Sequence, residues 1–212
     1  MAHPLSQALS QTISPVFGIP LILGLGLVTP ALAQSWMGSP PPQILAELAR
    51  VRIDGLENYQ HSSNLYQLSI PQGWTENDLS EEDIVRTSFL DPLENALIVV
   101  AIVSNPTMRA TPSALETVLK NDVESAFGDQ DAFQMDKAVT MNDGSVNIPF
   151  NYTVNVNDLD EPMLGNGFIE KKGDYVSFIY VVIPADQFDQ LKGDISTVIN
   201  SFRLNEKARF PG

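Results

Sequence analysis

His61-Ser62-Ser63 is the densest set of groups in this chain that could support nucleophilic chemistry. A serine hydroxyl becomes a nucleophile when an imidazole accepts its proton and a carboxylate holds the ring. The chain's other histidine is His3, and no serine stands in a Gly-x-Ser-x-Gly elbow. His61 is therefore expected to be an exposed loop residue, and the protein not to be an enzyme. With no cysteine in the sequence, thiolate nucleophiles, thiolate zinc sites and disulfides are all absent. Two histidines cannot supply a histidine-rich metal site within one chain. Gly165-Asn166-Gly167 lacks the third glycine and the following helix of a phosphate-binding loop, and it reads as a turn.

Carboxylates offer the remaining chemistry. Two acidic runs stand out, Asp78-Leu79-Ser80-Glu81-Glu82-Asp83 and Asp158-Leu159-Asp160-Glu161. Carboxylate and amide oxygens are the hard ligands that Ca²⁺ takes. Asp158, Asp160 and Glu161 are thus the calcium candidates, with Asn155 and Asn157 close by in sequence. The glycine and terminal glutamate of an EF-hand are missing, so solvated loops are the expectation and calcium is the one cofactor considered. Glu81-Glu82-Asp83 would also suit a helix N-terminus capped by Ser80, where negative side chains favour the helix dipole. Trp74, after a strand and a Pro-Gly turn, is expected to anchor a sheet–helix core. Asn151-Tyr152-Thr153 matches a glycosylation sequon inside an expected strand.

Those groups must be positioned by the elements around them. Tyr66, Leu68 and Ile70 alternate and stop at Pro71-Gln72-Gly73-Trp74, which predicts a half-buried strand and a turn. A second strand is expected over 84–90, closed by Asp91-Pro92. The nearly continuous apolar run 96–103 predicts a strand buried on both faces at the centre of a sheet. Thr111-Pro112 starts a helix, with a capping hydroxyl and proline at the first helical position, and Gly128 ends it. Strands follow over 133–141, 145–156, 164–171 and 175–183. Asn142-Asp143-Gly144 and Lys172-Gly173-Asp174 join them as tight hairpins. Phe188, Leu191, Ile195, Val198, Ile199 and Phe202 stripe one face of a final helix over 185–202. This order predicts an α+β fold, with one antiparallel sheet of about six strands packed by helices.

Charge narrows the partners. The formal net charge is -14, from 26 acidic and 12 basic residues. Such an excess repels a phosphate backbone and makes nucleic acid an unsuitable partner; it favours basic protein patches or cations. The first 46 residues carry no Asp, Glu, Lys or Arg. An apolar run from about Val16 to Val28, followed by Ala31-Leu32-Ala33, has the outline of an export signal cleaved before Gln34. The alternative is an uncleaved anchor over 13–33, about the ~20 residues a spanning helix needs. Pro15, Pro20 and Pro30 oppose it. Cleavage leaves an exported protein that meets a membrane only peripherally. Gly38-Ser39-Pro40-Pro41-Pro42 reads as a stiff linker, followed by a short amphipathic helix over 43–51.

The chain resembles the PsbP-like family. Tyr66-Gln67-Leu68-Ser69-Ile70-Pro71-Gln72-Gly73-Trp74, Phe89-Leu90-Asp91-Pro92 leading through Asn95, and the closing Ile199-Asn200-Ser201-Phe202 carry the resemblance, which covers about 65–204. It implies an α/β/α sandwich without catalytic residues. It further implies an exported accessory role in the thylakoid lumen or a periplasm, docking on a membrane protein complex such as photosystem II during assembly or to stabilise it. The expected organisation is a signal peptide over 1–33, a linker over 34–60, a PsbP-like domain over 61–205 and a tail over 206–212. The tail is expected to fray or to make a contact.

Overall fold

The structure is a computed structural model that describes residues 50–156 and 159–210. The leader, most of the linker with its short helix, Asn157 and Asp158 lie outside the described residues. Eleven strands are described: β1 Leu56–Gln60, β2 Tyr66–Pro71, β3 Thr75–Asp78, β4 Ile84–Leu90, β5 Leu97–Ser104, β6 Asp131–Met135, β7 Val139–Thr140, β8 Val146–Val156, β9 Leu159–Lys172, β10 Tyr175–Pro184 and β11 Arg203–Leu204. Two helices join them, α1 Pro112–Phe127 and α2 Phe188–Ser201, the second entered through a 3-10 turn at Ala185–Gln187. The fold is the expected α+β class. Its large antiparallel sheet has eight strands rather than about six, in the order β3-β4-β5-β10-β9-β8-β6 with β7 also on β8.

The two extra strands come from segments whose patterns are weak. β3 is exposed along its whole length, so no alternation marks it. The expected strand 133–141 is split into β6 and β7, both antiparallel to β8. The expected first strand, β2, is not in the large sheet: it sits between β1 and β11 in a separate three-stranded sheet. β1 falls in the stretch expected to be a linker, and Val51 and Ile53 before it already belong to the core.

β4, β5 and β10 are buried on both faces; β5 and β10 are accordingly almost continuously apolar, whereas β4 carries Arg86, Thr87 and Ser88 at its centre. On one face α1 packs over β8 and β9, burying Leu115, Leu119, Val123 and Phe127 against Ile148, Phe150, Ile169 and Tyr180. Its start is built as the sequence predicts: Thr111 Oγ1 accepts the Ala114 N–H at 3.3 Å, and Pro112 occupies the first turn. On the opposite face the small sheet and α2 cover β4, β5 and β10, and Trp74 is buried there with Phe89 and Ile98. The tail makes a contact as far as Phe210: Tyr175 donates to the Ala208 carbonyl at 2.7 Å and stacks on Phe210.

Gly165-Asn166-Gly167 is not a turn but the middle of β9. A β-carbon at Gly165 would stand 2.2 Å from the Phe150 ring, and one at Gly167 would press Tyr180, Val123 and Leu119. The two glycines leave the space into which an aromatic ring and a helix pack. The hairpin turns on either side do carry glycines with positive φ, Gly144 at 85° and Gly173 at 56°.

Candidate functional site

His61 follows β1 and is 3% exposed, which corrects the expectation of an exposed loop residue. The short link to β2 closes through Asn64, at φ 60°, and this turn folds the imidazole inward. Its ring stacks on Tyr66 with centroids 5.2 Å apart. Nδ1 accepts the Ser63 backbone N–H at 3.1 Å and lies 2.7 Å from Ser63 Oγ. Nε2 lies 3.4 Å from Asp78 Oδ2, within ion-pair reach though too oblique for a hydrogen bond. Serine, imidazole and carboxylate are therefore brought into one line, with Ser63 rather than the exposed Ser62 as the hydroxyl.

Nδ1 accepts the Ser63 N–H, which places the ring proton on Nε2 facing Asp78, and at 2.7 Å the Ser63 hydroxyl donates to the same nitrogen. Ser63 Oγ in turn accepts the Leu65 N–H at 3.3 Å. The arrangement buckles the β1–β2 corner onto β3. Tyr59 reinforces it by donating to Glu76 Oε1 at 2.5 Å. Burial, then the Glu76 carboxylate, push the Tyr59 phenol up; burial does the same to Tyr66. The Ser80 hydroxyl holds the Asp78 carboxyl below the usual carboxylate range, helped by the Ser80 N–H and His61.

Of the acidic runs, Ser80–Asp83 is a tight turn and not a helix start. Ser80 Oγ accepts the Arg86 N–H at 3.1 Å, and Glu81 pairs with Ile84 across the turn. Asp160 and Glu161 are not in a solvated loop; they stand in β9, opposite Asn155 and Val154. Asn155 donates to Asp160 Oδ1 at 3.1 Å. Successive strand residues point to opposite faces, so Asp160 and Glu161 cannot converge on one ion. Among the described residues no group of three or more histidine and carboxylate side chains is placed to hold a metal.

A buried charged cluster was not read from the sequence. Arg86 on β4, Asp122 on α1 and Tyr180 on β10 are all buried, and the Tyr180 hydroxyl donates to Asp122 Oδ2. Burial lowers the Arg86 guanidinium, opposed by the charges of Glu81, Asp122 and Tyr180; burial raises Tyr180 well above its ordinary value. The signals were a lone arginine in an apolar strand and an aspartate in the apolar stripe of a helix. The cluster ties helix to sheet inside the core.

What is left open is one face of the β8–β9 hairpin. Register places Asn147, Pro149 and Asn151 of β8 beside Phe168, Asn166 and Leu164 of β9, all half-buried. α2 runs beside the β9 positions, and between helix and strand lies a cleft of about 190 Å³ lined by Leu164, Phe168, Phe188 and Ile199. A second cleft of about 220 Å³ shares Phe168 and Ile199 and reaches Met141. Around this field Val139 is 50%, Met141 46% and Phe188 37% exposed. Asn147 Nδ2 donates to Asn166 Oδ1 and to the Gly167 carbonyl at 3.3 and 3.1 Å. Such a surface can bind by contact; it offers no group for bond making. Its residues were placed on strands by the sequence pattern, but which of the two strand faces is left open depends on where α2 lies across the sheet.

The family model described as PsbP matches residues 54–204. The solution structure of cyanobacterial PsbP (CyanoP) from Synechocystis sp. PCC 6803 is similar at 19% identity and a TM-score of 0.51, over 80% of this chain and 99% of that one. LpqN of Mycobacterium tuberculosis, described as involved in cell envelope biogenesis, is similar at 11% identity and a TM-score of 0.39, over 71% of this chain and 91% of that one. No curated protein matches.

Proposed function

The chain belongs to the PsbP family, and from that premise we propose that it is an exported, non-catalytic accessory protein that docks on a membrane protein complex, namely photosystem II during its assembly or to stabilise it. The observation that carries the reading is the family match over residues 54–204, which spans both sheets and both helices. Fold alone would be thin support for a role, and two features of the site agree with it. The serine–histidine–carboxylate line of the described residues closes a corner, with His61 Nδ1 accepting a backbone N–H. The open part of the molecule is a surface of amides and apolar side chains. Export to a thylakoid lumen or periplasm is supported by the uncharged leader ending in Ala31-Leu32-Ala33. Among the described residues no helix is long and apolar enough to cross a membrane.

A mild-detergent pull-down of the C-terminally tagged chain from its native membranes tests this, with mass spectrometry of the bait's N-terminus and of its partners. The expected result is a bait beginning at Gln34 and enriched in photosystem II subunits. A bait that emerges alone would remove the docking role. His61→Ala should weaken the fold and leave no catalytic activity to lose.

A further inference from the structure

The six half-buried positions at the centre of the open face are Asn147, Pro149, Asn151, Leu164, Asn166 and Phe168. None is charged, on a chain whose formal charge is -14. Two strands about 4.8 Å apart, over five residues rising about 3.3 Å each, make a field of roughly 160 Å², which the exposed Val139, Met141 and Phe188 extend. Depletion of charge with enrichment in aromatic and methionine side chains marks the core of a protein interface. Phe168, Phe188 and Met141 supply those side chains here.

Charge returns at the borders, and unevenly. At the hairpin end, Asp160 of β9 and Asp131 of β6 are exposed. Pro184 pairs with Met163 there, so Asp186 and Asp189 at the entry to α2 adjoin the same end. Asp189 holds Lys192 at 2.7 Å. At the other end charges are matched: Glu170 pairs with Lys172 at 2.8 Å, and Asp143 and Arg203 line the cleft beside them.

We infer that this face is the docking surface of the accessory role proposed above, on which the inference rests, and that its occupant is a protein surface with an apolar centre flanked by Lys or Arg on the side that meets Asp131, Asp160 and Asp186. The uncharged field excludes water on contact, and the acidic end fixes which way round the partner sits.

The test uses the full chain immobilised against detergent-solubilised photosystem II cores, with Asn151→Glu, Phe188→Asp and the control Asn77→Glu at the far edge of the sheet. Circular dichroism and melting confirm that each variant is folded. An acidic residue suits Phe188, since it stands in the first turn of α2. Asn151→Glu and Phe188→Asp should each weaken binding at least 10-fold, Asp160→Lys should slow association, and Asn77→Glu should bind as wild type. Wild-type binding that Asn77→Glu disrupts and the face variants do not would overturn the face while leaving the accessory role intact. No binding by the wild type would overturn both. Self-association abolished by the face variants, read by sedimentation, would overturn the basic partner in favour of a second copy of this chain.

Discussion

Phe150 and Asn151 are neighbours on β8 and meet opposite surroundings. Phe150 is 2% exposed, packed against Phe127 at 4.6 Å between ring centroids and seated in the space left by Gly165. Asn151 faces outward beside Leu164, beyond the reach of α2. The whole hairpin repeats this contrast, one side filled by α1 and the other uncovered. β4, β5 and β10, covered on both sides, show no such alternation. Alternation beside strands that are buried on both faces thus marks where a covering layer ends, and amides in place of charges mark that the uncovered part is not ordinary solvent-facing surface.

The sharpest way to break this contrast is to truncate both neighbours. Phe150→Ala should cost about 3–5 kcal/mol of unfolding free energy, because a ring buried among rings leaves a cavity. Asn151→Ala should stay within about 0.5 kcal/mol, as surface changes do. Paired urea titrations read both. Comparable losses would mean that the open face is part of the fold and not a surface kept for a partner.

The next largest effect belongs to Gly165. A methyl group there meets the buried Phe150 ring at 2.2 Å, and the ring has little room to retreat. Gly165→Ala should therefore cost about 1–3 kcal/mol, the usual range for overpacking. A neutral result would show that the covered side is looser than its packing implies.

Much of the architecture was legible because burial writes itself into the pattern. β4 was bounded as found, β5 and β10 to within a residue, and the start of α1 followed from Thr111 and Pro112. The misses share a physical cause, namely interactions that leave no period. β3 is a strand of four exposed residues, Thr75–Asp78, recruited by pairing with β4. Glycines 165 and 167 looked like punctuation because the reason for them is a ring and a helix that lie elsewhere in the chain. His61 looked exposed because burial of a histidine depends on Tyr66 and Asp78 closing over it. The open face was readable as strands but not as a site: the sequence carries the amides, whereas their being uncovered is a property of where α2 lies across the sheet.

A smaller effect should place acid sensitivity at the opposite edge of the sheet from the open face. The Asp78 carboxyl is held below its ordinary range by Ser80 and His61. A carboxylate whose folded pKa is depressed contributes stability above its unfolded value of ~4, and that contribution is lost as the pH falls through the lower folded value. The wild type should therefore lose more of its melting temperature below about pH 4 than Asp78→Asn does. Asp78 is partly exposed, so the difference should be only ~1–3 °C. Parallel acid limbs in the two proteins would detach the His61 corner from the acid response.

The smallest expected effect concerns calcium, and it returns to the alternation of the hairpin. Asp160 shares the open face with Asn155, whereas Glu161 stands opposite Val154 on the side of α1. Two carboxylates directed to opposite faces cannot ligate one ion, and a bound ligand must raise the melting temperature once its concentration exceeds its dissociation constant. Millimolar Ca²⁺ should thus leave the melting temperature unmoved, in the wild type and in Asp160→Asn alike. A rise that Asp160→Asn removes would place an ion at the hairpin end. It would also turn the acidic border of the open face from a guide for a basic partner into a metal site competing with it.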